Sequence, residues 1–117
     1  MSVVDAARLF ALKSVWRTTG LQSAGRALLN ALDSPKEDVR TIAGMLLVQA
    51  GKYAEPLVEE GIKRRLNLPM TLVMAGDIGA IRLKPELQRY AEDPDPEVAK
   101  AARDGLRILE RQASSGR

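Results

Sequence analysis

Two stretches of this chain, DSPKEDVRTIAGMLLVQAG from Asp33 and DPDPEVAKAARDGLRILE from Asp93, follow one pattern: an acid, a proline, further acids, then apolar residues three and four apart. Proline keeps the residue before it out of helical geometry and can itself open a helix, where its missing N–H loses nothing. Each stretch therefore reads as a turn that feeds a helix, with Glu37, Asp38 or Glu97 bringing negative charge to the first turn. Val39, Ile42, Ala43, Leu46 and Leu47 then line one helix, and Val98, Ala101, Ala102, Leu106 and Leu109 the other, at the spacing of a single apolar stripe. The two aspartates are 60 positions apart, which leaves room for one unit between them. LNLPMTLVMAGDIGA supplies it, with Pro69 near the helix start and Gly79 matching Gly51 at the stop.

A shorter helix precedes each of these three: AGRALLNAL, EPLVEEGIKRRL and KPELQRYAED, with Pro56 and Pro85 at the starts of the second and third. The expected architecture is all-α: a capping helix over 1–20, antiparallel helix pairs over 24–51, 55–79 and 84–112, and a frayed polar tail at 113–117. Residues 1–112 then form a single domain. A lone pair of short helices cannot bury its stripe, so neighbouring pairs stack and share a core, and the ends need polar caps. Arg103, Asp104, Arg107, Glu110 and Arg111 on the last helix read as such a cap, which predicts a complete array.

Only one Trp, two Tyr and one Phe are present, so aliphatic residues must fill the interior, as suits packed helices. The chain has no Cys and no His. It therefore lacks a thiolate nucleophile, the commonest general base and the commonest transition-metal ligand, and no catalytic residue, metal or cofactor is expected. The formal charge is +3, with the local sign alternating along the chain, which argues against a continuous phosphate-binding stripe and against nucleic acid as a partner. Asp5, Arg8 and Lys13 interrupt the N-terminal apolar run, so neither a secretory segment nor a membrane span is expected there. A cytoplasmic protein is the expectation.

The turn-plus-helix motif, V-R-x-x-A-x-x-x-L after an Asp-Pro-containing turn, resembles HEAT repeats, including the variant first associated with phycobilin lyases. Asp33, Val39, Arg40, Ala43 and Leu47 carry the resemblance best, followed by Asp93, Val98, Ala102 and Leu106, and it covers about 24–112. The middle unit departs from it, with Asn67 and Leu68 in place of Val and Arg and no turn Asp; the third has Ala99 for the motif Arg. The resemblance implies a right-handed α-solenoid that acts as a non-catalytic protein-interaction scaffold. Its groove would be lined by the second helices around Thr41, Met45, Val48, Val73, Asp77, Lys100, Asp104 and Arg107. Two other implied functions are a nucleic-acid-associated protein similar to HEAT-like DNA glycosylases, and an accessory subunit of a lyase-type chromophore attachment complex.

Several residues invite a sharper reading. On a helical projection Val3, Val4, Ala7, Phe10, Ala11 and Val15 form a broad apolar face of the first helix, expected to dock on the first pair. Leu9, Leu12 and Trp16 form a second patch opposite. It is either an anchor for a protein partner, including a homodimer through this helix, or a cover for the first turn. Asp93, Asp95 and Glu97 lack the alternating ligands and sharp-turn glycine of a calcium loop and read as a turn with helix-start acids. Lys63, Arg64 and Arg65 suit the end of a helix, where cations favour the dipole, with a weak anion contact as the alternative. Gly76 reads as a close-packing point.

Overall fold

The computed structural model describes residues 2–115: seven α-helices joined by 3₁₀ turns and short loops, with no strand among the described residues. The helices group into two compact units, Met1–Gln49 and Ala50–Arg117. No helix among the described residues is long and apolar enough to cross a membrane.

In the first unit α1 (Val3–Thr19) begins at Ser2, whose hydroxyl accepts the Asp5 N–H at 3.0 Å. It stops at Gly20, which is left-handed at φ 72° and returns its N–H to the Trp16 carbonyl. That is the position where a residue without Cβ ends a helix at least cost. Helix α2 (Gln22–Asn30) buries Ala24, Gly25, Leu28 and Leu29, two adjacent residues per turn, and leads through a 3₁₀ turn at Ala31–Asp33. Ser34 Oγ then accepts the Lys36 N–H at 3.1 Å, and Arg40 donates to the Ser34 carbonyl at 2.7 Å. Helix α3 (Glu37–Gln49) buries Val39, Ala43, Gly44, Leu46 and Leu47. Helix α1 packs mainly on α2 and also on α3.

In the second unit Gly51 is left-handed at φ 60°, and a 3₁₀ turn leads into α4 (Glu55–Lys63), which buries Leu57, Val58, Gly61 and Ile62. The turn into α5 (Leu68–Asp77) holds two non-glycine residues at positive φ, Arg65 and Asn67. Asn67 enters α5 through the left-handed region, which Asn tolerates better than most residues, and makes no side-chain cap bond to the helix start. Gly79 at φ 71° is followed by a 3₁₀ turn at Ile81–Leu83, then α6 (Lys84–Tyr90) and α7 (Pro96–Ser115). In the turn before α7, Asp93 Oδ1 accepts the Asp95 N–H and Asp95 Oδ1 accepts the Glu97 N–H, each at 2.9 Å. The Asp-Pro acids are thus used up as turn and helix-start acceptors.

The tightest packing of the second unit is between α5 and α7. An added Cβ on Gly76 would lie 2.5 Å from the Gly105 carbonyl oxygen, and one on Gly105 would lie 2.5 Å from the Leu72 carbonyl oxygen. The two helix backbones are in direct contact, with no side chain between them. Gln112 donates from its amide to the Gly76 carbonyl at 3.1 Å and so closes the end of α5 from α7. Helix α7 runs on to Ser115, so residues 113–115 of the expected polar tail are assigned to the helix, while 116–117 lie outside the described residues. The fully buried Thr71 hydroxyl lies within hydrogen-bond reach of the Leu66 and Leu68 carbonyls, at 3.3 and 3.2 Å, so its own polar atom is not orphaned.

Because both glycines meet backbone, Gly76→Ala and Gly105→Ala should each destabilise the protein by about 2–3 kcal/mol, as overpacking against an unyielding neighbour does. Gly51→Ala, whose Cβ would meet nothing within 4 Å, should lose only about 1 kcal/mol through its left-handed backbone. Chemical denaturation of the three variants checks the ranking.

Candidate functional site

Helix α1 faces the opposite way from the sequence expectation. Leu9 and Trp16 are buried, at 4% and 3% exposure, and Leu12 is half-buried between them. Val3 and Val4 are 86% and 76% exposed, and Ala7, Phe10, Ala11 and Val15 are exposed with them. Leu9 and Trp16 are therefore core residues and not partner anchors, in line with the alternative in which Trp16 covers the first turn. The reason lies in area. Leu9, Leu12 and Trp16 form a narrow stripe, but a Leu and a Trp bury far more surface than the alanines that widen the other face. That other face is left without cover among the described residues.

The buried stripe of α1 is fixed at its start by charge. Lys36, in the turn before α3, donates to Asp5 at 2.9 Å. The Lys36 ammonium, aided by the Ser2 hydroxyl, holds the Asp5 carboxyl below its ordinary value, and Asp5 in turn raises the Lys36 ammonium. Beside this pair lies a cavity of about 380 Å³ whose apolar lining includes Leu9, Leu12, Ala27 and Val39. A second hollow of about 290 Å³ adjoins it, lined by Ala11, Leu12, Val15, Leu21 and Ala24. Arg8 and Leu12 line both. Arg8 is exposed and has no hydrogen bond or ion pair among the described residues.

Of the expected groove residues, the second unit brings Val73, Lys100 and Asp104 together around one shallow cleft between α5 and α7, of about 350 Å³, with Met70 and Pro69 beside them. Asp104 accepts from Lys100 at 2.9 Å and also from Arg107. Lys100 first, then Arg107, holds its carboxyl below the usual range, so Asp104 is a fixed anion and unsuited to proton transfer. Asp77 is exposed at the end of α5 and is not part of this cleft; partial burial pushes its carboxyl up. In the first unit Thr41 and Met45 are exposed on α3 and Val48 is half-buried, with the Thr41 hydroxyl already donated to the Glu37 carbonyl.

The basic run ending α4 is largely neutralised. Lys63 pairs with Glu59 at 3.6 Å and Arg64 with Glu60 at 3.0 Å. One turn on, Arg82 bridges Glu55 and Glu59 at 3.0 and 2.8 Å, which depresses the Glu59 carboxyl. Arg65 and Arg89 lie over the Tyr90 ring, 5.7 and 5.4 Å from its centroid, where the ring face attracts cations.

No known family, curated protein or solved structure matches this chain.

Two measurements follow from this geometry. Trp16→Ala should destabilise the fold by about 3 kcal/mol, whereas Phe10→Ala should leave the melting temperature nearly unchanged. The Asp5 carboxyl, lowered in the folded state, stabilises the fold above the unfolded value near about pH 4, and this contribution is lost as pH falls through the folded value. The melting temperature of Asp5→Asn should therefore lie below that of the parent at neutral pH and converge with it in acid or in about 1 M salt.

Proposed function

We propose that this chain is a non-catalytic protein-interaction module, built from three helix pairs in the manner of a short HEAT-like array and bound by its partner through α1. The observation that carries this reading is the uncovered face Val3, Val4, Phe10 and Val15. Burial of each such side chain contributes on the order of 1.5–3 kcal/mol, and contiguous apolar patches of this kind mark interaction sites. The threonines closing α1 extend the face: Thr18 and Thr19 donate their hydroxyls to the Ser14 and Val15 carbonyls at 2.6 Å, so their polar atoms are already satisfied within the helix. Turn construction supports the array. Ser34-Pro35 and Asp93-Pro94 use one side-chain acceptor two residues ahead of the same backbone N–H, 59 positions apart. The repeat thus pairs Ser34, and not Asp33, with Asp93. The polar clusters of the second unit are consumed by internal ion pairs, which gives an interaction module stronger support than a chemical site.

A tagged form should capture a protein from its native host, and that protein, once purified, should bind in titration. Val4→Asp combined with Phe10→Asp should abolish capture while the melting temperature changes by no more than a degree or two. Unchanged capture by the double variant would sink the proposal. Sedimentation at rising concentration separates a second copy of the chain from a different partner.

A further inference from the structure

We propose that the seam between α1 and α2 is a recognition groove for an acidic amphipathic helix of a partner protein, with a carboxylate of that helix on Arg8 and its apolar side chains in the two adjoining hollows. The inference rests on the protein-interaction reading and adds the chemistry of the partner. The hollows share Arg8 and Leu12 and together run along α1 from Asp5 to Val15. At 1.5 Å per residue that is about 15 Å, the length of roughly three helical turns, and helices bind such grooves through anchors at i, i+3 or i+4, and i+7.

Charge selects the occupant. Asp5 is the one acid lining the groove, and Lys36 already holds it. Arg8, at the wall common to both hollows, has no partner among the described residues, and its planar fork suits a carboxylate. The groove therefore offers one largely apolar hollow and one of mixed lining, with an unmatched cation at their common wall, and an anionic side chain flanked by apolar ones complements it. A second copy would bring the α1 cations Arg8, Lys13 and Arg17 against a single acid, a poor match. A bilayer surface is too flat to fill both hollows.

Fluorescence anisotropy tests this with the full chain and a labelled helical peptide carrying Leu at i, i+3 and i+7 and Glu at i+4, beside a twin with Lys for Glu. The parent should bind the Glu peptide at least about fivefold more tightly than the Lys peptide. Arg8→Glu should reverse that order, Arg8→Gln should bring the ratio to about one, and Ala11→Glu should weaken both peptides, with helicity and melting temperature retained in each case. Equal binding of the two peptides, an order unmoved by Arg8→Glu, or no binding at all overturns the groove. Arg8-dependent retention on phosphatidylserine vesicles without peptide binding assigns the surface to lipid and overturns it equally. If the peptides fail while Val4→Asp with Phe10→Asp still abolishes capture, only the groove is lost; if both fail, the interaction reading falls with it.

Discussion

At Gly76 and Gly105 two helix backbones meet without side chains between them, and the second unit is arranged around that contact. Helix pairs normally keep their axes about 8–10 Å apart because side chains interdigitate between them. Here the absence of two Cβ atoms lets α5 and α7 come together, and the dispersion gained by close contact offsets the conformational freedom that glycine gives up in a helix. Other features follow from the approach. Gln112 reaches the Gly76 carbonyl across these same two helices, and the Val73, Lys100 and Asp104 cleft is a shallow hollow between them nearer their N-terminal ends.

The first unit is organised differently. Its longest helix is attached by a thin line of contacts, with Leu9 and Trp16 buried and the Asp5–Lys36 pair at one end. A thin seam leaves most of a helix circumference exposed. On α1 that remainder is apolar toward Val4 and Phe10 and cationic at Arg8, so one element both completes a core and presents a surface.

Much of this was legible in the chain. Prolines 56, 69 and 85 and glycines 51 and 79 stand at helix starts and stops because their backbone restrictions act locally, whatever the tertiary context. The acids around Pro94 were readable as helix-start groups for the same reason. The orientation of α1 was not. Periodicity gives two candidate faces and weights Ala7 and Ala11 as heavily as Trp16, while the choice depends on which face has a neighbour with space to fill. Gln112 gave no signal either, since its worth comes from a carbonyl 36 residues away. Of the candidate surfaces, Val73, Lys100 and Asp104 do share a cleft, as one helix face suggests, but which side of α1 is exposed required coordinates.

The clasped carboxylates have a further effect, on how the molecule responds to acidity. With no histidine or cysteine, no side chain has an ordinary titration midpoint between the carboxylates and the phenols and amines. The cations on Asp5, Glu59 and Asp104 move those acids still further from neutrality, whereas partial burial moves Asp77 toward it. The chain therefore lacks the imidazole and thiol groups that ordinarily change charge across the range in which cells vary their proton concentration.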